Sequence, residues 1–488
     1  MLLKAIIVSD APKLATSSCI IQRSSSRRKP LSTSSVPPRA SRTNVDKQTT
    51  TTDGDFYQVL QRYSTLYRIV LARPMSNGLI LDEWQRIYIQ VVNELGLLLD
   101  GEKAKQCCMR LSCRLLVKGP EGFVQDPNYH METRGSLYDA WETMDGLTSS
   151  NWPGFYDSGS GSIDVRIVAT HSKVSQKACC PPKSIYIHIS PVFEEPYSFH
   201  ALPLVIGPVE VEAEKSARTN DTWGADRQSK AMHRAFCLDQ TSMSVFLIKE
   251  GWMCGTPGKM WDSALVLSDM LVNRIRHQPQ YLEHRRIIDL SAGTGSVGLL
   301  ISSIYQRWFP DRMPQITLTD LPEALSLIEF NKNLNFNSDI NANVRIEPLE
   351  WGNIDHTTHI ANSGPVDLII ASDVVYNPSC FSLLVQTLET LSTPGRTVIY
   401  LGYKRRGLKE EDEDQFFKLC SANFHISLVQ KNQMSDGFGD WEREQAPLVR
   451  DSDDGKGWMG ILPSGRTSSL GNPQETGVRV YRLTKKIN

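Results

Sequence analysis

"IIDLSAGTGSVGLL", residues 287–300, decides the fold. An apolar run ends in an acid, Asp289. It passes into Gly293-x-Gly295-x-x-Gly298 and continues with Val297, Leu300, Ile301, Ile304 and Trp308 at helical spacing. Strand, glycine turn and helix in that order mark the start of a Rossmann-like parallel sheet whose turn approaches a ligand closely. Outward from this stretch, strands and helices alternate. "RIIDL", "QITLTD", "NVRIEPL", "VDLIIAS", "RTVIYLGY", "FHISLVQ" and "VRVYRLTK" read as seven strands, and the nearly all-apolar "VDLIIAS" suits a central strand covered on both faces. Pro322 stands where a helix start favours proline.

The glycine spacing alone serves either a dinucleotide or S-adenosylmethionine, since both sit on such a turn with an acid at the tip of the next strand, here Asp320, holding ribose hydroxyls. Asp289 separates the two. A carboxylate at the end of the first strand opposes a pyrophosphate and suits the ammonium of a methionine moiety, so the charge favours S-adenosylmethionine. A tight turn built for its own sake and a helix cap at Asp320 are the bland alternatives.

The blocks "GKMWDSALVLSDML", "IIDLSAGTGSVGL", "ITLTDLPEALSLIEFNKNLN", "PLEWG", "VDLIIASDVVYNP" and "YKRR…FF" follow one another between residues 241 and 484. In this order they resemble the seven-β-strand methyltransferases of family 16, which include fungal protein-lysine methyltransferases acting on elongation factors. The resemblance implies that Asp289, Gly293, Gly295 and Trp261 lie at the methionine end of the cofactor, Asp320 at its ribose and Trp351 by its adenine. Ala371 contributes backbone at the end of the fourth strand. Asp373-Val374-Val375-Tyr376 matches the acid-x-x-Tyr motif bordering the acceptor-lysine channel, which makes Asp373 and Tyr376 the candidate catalytic pair, Asp373 binding the acceptor first and handling its proton second. Ser291 departs from the family's glycine; a serine can hold the turn if its φ is negative, and the departure bears on cofactor affinity rather than on fold. Lys404-Arg405-Arg406 reads as a solvated loop, with contact to an acidic substrate surface as the alternative.

The implied activity is transfer of a methyl group from S-adenosylmethionine to a lysine of a protein substrate, an elongation factor being the best guess. A small-molecule or nucleic-acid methyltransferase is the alternative. The formal net charge of −1 argues against nucleic acid as a partner, and no run of apolar residues is long enough for a spanning helix. Ten cysteines without metal-ligand spacing read as reduced thiols and suggest neither a metal nor a secreted protein. A cytoplasmic address fits, with the nucleus as alternative. The Arg/Ser-rich start resembles a mitochondrial presequence, although Asp10 and its prolines weaken that reading.

Three regions follow from these readings. Residues 1–52, rich in Ser, Thr, Arg and Pro, form a disordered tail. Residues 53–235 form an α+β accessory region for substrate recognition: "FYQVLQRYSTLYRIVLA" and "DEWQRIYIQVVNELGLLL" read as two packed helices, and short strands follow. Residues 236–488 form the α/β domain, a seven-stranded sheet with helices on both faces and an insertion near 435–475.

Overall fold

A computed structural model describes residues 64–429 and 476–487, apart from short internal stretches of which 136–153, 171–183 and 213–231 are the longest. The tail, the loop around 213–231 and the insertion near 435–475 lie outside the described residues. The described residues all fall within one compact unit, residues 51–488.

All seven strands of the α/β sheet are present: β1 (Arg286–Leu290), β2 (Gln315–Asp320), β3 (Val344–Pro348), β4 (Leu368–Ser372), β5 (Val398–Lys404), β6 (Phe424–Leu428) and β7 (Val478–Lys485). They lie in the order β3-β2-β1-β4-β5-β7-β6. β7 runs antiparallel between β5 and β6, and the other pairings are parallel. Strand order reverses between β1 and β4, and in such sheets the ligand crevice opens beyond the strand ends at that reversal. Helices α1 (Asp262–His277), α2 (Ser296–Trp308), α3 (Leu325–Asn335), α4 (Ile354–Asn362), α5 (Phe381–Leu391) and α6 (Glu410–Asn423) flank the sheet. On α2 the buried face includes Val297, Leu300, Ile301 and Ile304, with Trp308 partly buried at its end, as the helical spacing predicts.

The N-terminal region corrects the sequence reading. The two stretches expected as helices hold strands Leu66–Leu71 and Gln85–Val92, and the short Gly101–Cys107 is the described helix of this part. The physical reason lies in the residues. "LYRIVL" is buried along its whole length, so it carries no alternation to betray a strand. In "QRIYIQVV" the β-branched Ile87, Ile89 and Val91 are buried at every second position, a strand's period. The region is therefore β-rich rather than α+β.

A five-stranded sheet contains both strands. In a second sheet the strands Met232–Asp239, Ser244–Lys249, Gly122–Gln125, Met109–Gly119, Ile185–Val192 and Leu204–Glu212 close into a ring, since the last also pairs with the first. Because Met232–Asp239 and Ser244–Lys249 belong to this ring, the N-terminal architecture extends to about residue 250 instead of 235.

The ring joins the α/β part through α3. Asn331 and Asn335, one turn apart, act as surrogate strand residues for Ser244–Lys249. Asn331 Oδ1 accepts from Lys249 N at 2.8 Å and Asn335 Oδ1 from Leu247 N at 2.9 Å, and their amides donate back to the carbonyls of Lys249 and Leu247. This closes a sheet edge that would otherwise expose unpaired backbone groups. Leu66, Leu202, Phe236, Leu238, Phe246 and Ile248 share one apolar core with α1, α2 and β1. That joint core ties the N-terminal strands to the methyltransferase sheet.

Candidate active site

The loops after β1, β2 and β4 meet at the strand-order reversal. After Leu290 the chain turns sharply, with left-handed backbone at Ser291 (φ 56°), Gly293 (φ 58°) and Gly295 (φ 75°), the last being the N-cap of α2. Serine pays a steric cost there that glycine does not. Ser291 thus does not meet the negative-φ condition under which a serine holds this turn without strain. The serine hydroxyl offsets part of the cost by accepting the indole N–H of Trp351 at 3.0 Å. At Gly293 a Cβ would stand 3.2 Å from the Pro257 carbonyl, so the backbone passes closely beneath the loop that precedes α1.

Asp289 is fully buried at the end of β1. Its Oδ2 accepts from Gly298 N at 2.9 Å, whereas Oδ1 is buried and has no hydrogen-bond partner among the described residues. Burial pushes its carboxyl up to about 7, with the nearby charge of Asp320 adding to the effect. A buried acceptor without a donor is rare in a folded protein and marks a place where a donor group binds. A ligand ammonium supplies the missing donor and its charge together, so the residues present fit the methionine end of S-adenosylmethionine.

At the tip of β2, Asp320 Oδ2 accepts from Gly293 N at 2.7 Å and Oδ1 from Leu321 N at 2.8 Å. The carboxylate thus ties the glycine loop to the second strand, and each oxygen retains a lone pair for a ribose hydroxyl. Trp351, half-buried after β3, faces Tyr376 with ring centroids 6.3 Å apart. Tyr376 is 56% exposed, which rules out core packing as its role. Ala371 is fully buried on β4, in register with Leu290 of β1 and Leu401 of β5. Trp261 is the N-cap residue of α1, and its indole N–H donates to the Thr256 carbonyl at 2.9 Å. The structure therefore brings the cofactor-side candidates to the same end of the sheet as the acid-x-x-Tyr segment.

Asp373 differs from expectation. Its backbone is left-handed (φ 56°) and its carboxylate is already engaged. Oδ1 accepts from Arg406 Nη1 at 2.8 Å and Lys404 N at 3.3 Å, and Oδ2 accepts from Arg406 Nη2 at 2.8 Å and Ser263 N at 3.2 Å. Four donors fill its four lone-pair positions, so in this geometry an acceptor ammonium finds none open.

Lys404 and Arg406 are likewise not a solvated run. Lys404 pairs with Asp262 at 2.5 Å and with Glu94 at 3.2 Å, and Arg406 with Glu94 at 2.6 Å. Arg68 pairs with Asp262 at 2.8 Å. Arg405 remains half-exposed, 3.6 Å from Glu413. At Glu94 burial opposes ionisation, but Arg406 and Lys404 outweigh it and hold the carboxyl well below the usual range. None of Arg68, Glu94 and Asp262 is a sequence candidate. The available signal is a charged residue inside an apolar run, Arg68 in "LYRIVL" and Glu94 just after "IYIQVV".

Sheet order, glycine loop and the two acids define a seven-strand methyltransferase that uses S-adenosylmethionine. A family model described as lysine methyltransferase matches residues 240–423. The chain is 31% identical over 209 residues to EEF1A lysine methyltransferase 3 of Mus musculus, covering 43% of this chain and 80% of the relative. To protein-lysine N-methyltransferase EFM2 of Saccharomyces cerevisiae it is 25% identical over 244 residues, covering 48% of this chain and 56% of the relative. The chain belongs to the lysine methyltransferase family and is an S-adenosylmethionine-dependent protein-lysine N-methyltransferase.

Proposed function

We propose that this enzyme methylates a lysine of a translation elongation factor, with elongation factor 1A the first candidate. The observation that carries the substrate class is the likeness to relatives named for that factor, including a second one from Xenopus tropicalis at 30% identity over 83% of its length. The surface supports a macromolecular acceptor: Tyr376 and Trp351 stand at an open rim rather than in a sealed cavity. A substrate of this kind favours a cytoplasmic address.

When bound, the cofactor supplies an electrophilic methyl on a sulfonium. Asp289 would hold the methionine ammonium, Asp320 the ribose hydroxyls and Trp351, tied to Ser291, the adenine, with Trp261 and the backbone at Ala371 at the methionine end. Catalysis then rests on holding the lysine amine in line, for which Val375 and Tyr376 form the channel wall. The amine must attack in its neutral form, although its ordinary pKa is about 10.4. Apolar surroundings at Val375 favour loss of the proton.

The test is incubation of the purified protein and tritiated S-adenosylmethionine with an extract of cells lacking the enzyme. A labelled band identified by peptide mass spectrometry as an elongation factor methylated on lysine is expected. Label confined to small molecules or nucleic acid would contradict the assignment.

A further inference from the structure

Six charges, Arg68, Lys404 and Arg406 against Glu94, Asp262 and Asp373, run from the N-terminal β-region to the acceptor motif, with Arg68, Glu94 and Asp262 buried and the others partly so. Arg406 is the link. Its guanidinium makes a two-point pair with Asp373, a second with Glu94 at 2.6 and 2.9 Å, and lies 5.0 Å from the centre of the Trp261 ring. Glu94 in turn accepts from the backbone N–H of Asp262 at 2.9 Å. Two-point pairs fix orientation as well as distance.

We propose that Arg406, held by Glu94 of the N-terminal β-region, is a positioning residue for methyl transfer that fixes the Asp373–Tyr376 turn and cancels the Asp373 charge beside the acceptor amine. The inference rests on the reading of Asp373-Val374-Val375-Tyr376 as the acceptor motif.

An isolated carboxylate at this point would hold the incoming lysine as an ammonium, the form that cannot attack. With Arg406 in place, Asp373 anchors its left-handed turn through the Lys404 and Ser263 amides and leaves the amine free to lose its proton. The other charges facing the group are Lys404 and Arg68, both paired with Asp262, Glu250, which acts on Arg68 and Lys259 and pairs with Arg234 at 2.5 Å, and Lys259, which lies 4.7 Å from the Trp252 ring centre and 5.9 Å from that of Trp261. Removing Arg406 or Glu94 therefore changes the field at the acceptor in opposite directions. The N-terminal β-region thereby completes the acceptor site through Glu94.

Initial rates of methyl transfer by the full-length protein, measured across pH, test this. The acceptor is the protein that the wild-type enzyme labels in extract, so a substrate other than an elongation factor overturns the functional reading and leaves this test intact. Arg406→Gln exposes the Asp373 charge and should move the acidic limb of the pH–rate profile up by about one pH unit, roughly a tenfold loss near neutrality recovered at high pH. Glu94→Gln leaves Arg406 in excess and should move the limb the opposite way. Arg406→Lys should restore part of the loss, and each variant should bind S-adenosylmethionine within about twofold of wild type, as read by calorimetry. If Arg406→Gln does not fold, the direction of the Glu94→Gln shift decides. Rates lowered equally at every pH, limbs moving the same way in both variants, or loss of cofactor binding in both would overturn the proposal.

Discussion

At the scale of single residues the site is governed by what burial does to a carboxyl. Asp289 has its pKa raised by burial from the ordinary 3.8 to about 7. Folding of the cofactor-free protein therefore takes up a proton between about pH 4 and 7, and its stability declines as pH rises across that window and levels off above 7. Asp289→Asn should stabilise the cofactor-free protein at pH 8 by about 1–3 kcal/mol in denaturant unfolding, while weakening S-adenosylmethionine binding. Wild-type affinity should fall by about tenfold per pH unit below 7, as the carboxylate must be ionised to meet the ammonium, and a flat pH dependence by calorimetry would refute this. Ser291 sets two effects of about 1 kcal/mol against each other, left-handed strain and the hydroxyl bond to Trp351. Ser291→Gly should stay within about 0.5 kcal/mol of wild type, whereas Ser291→Ala keeps the strain, loses the bond and should cost about 1 kcal/mol in chemical denaturation. Asp289, Gly293, Gly295 and Asp320 were legible in the sequence because strand, turn and helix leave a local trace. The state of Asp373 was not, because its partner Arg406 is 33 positions away and that residue's other partner, Glu94, is 312 away.

Secondary structure in the α/β part was legible for the same local reason, with apolar runs separated by amphipathic helices and clear turn residues. The N-terminal strands were not, since a strand buried along its whole length, such as Leu66–Leu71, shows an apolar run broken only by Arg68 and no alternation, which matches a buried helix as well. The element that joins the two parts is α3. Asn331 accepts from Lys249 N and donates to the carbonyls of Lys249 and Thr294, the latter within the glycine loop. Asn331→Ala leaves these buried groups unpaired and should cost about 2–4 kcal/mol, read as a lower urea midpoint, with weaker cofactor binding because the loop loses its tether. An unchanged midpoint would show that the surrogate pairing carries no stability.

Across the whole molecule, the N-terminal β-region and the methyltransferase sheet share both core and charge. A chain of residues 51–488 should unfold cooperatively at the same temperature as the full-length protein. One of residues 251–488 should be insoluble, since it strips Phe236, Phe246 and Ile248 from the core and leaves Asp262, Lys404 and Arg406 without Arg68 and Glu94. Removing one partner of a buried ion pair is far costlier than never having the pair. Soluble yield and thermal unfolding of the two fragments decide the point. Whether these parts together make an elongation-factor lysine methyltransferase is decided by intact-mass and peptide mass spectrometry. Purified elongation factor 1A from cells lacking the enzyme would be incubated with S-adenosylmethionine and either the wild-type protein or Asp289→Asn. Methyl groups should be added to a defined lysine by the wild type, with little or none added by the variant. An unmodified factor after prolonged reaction, while another protein in the same cells gains methyl-lysine, would contradict it.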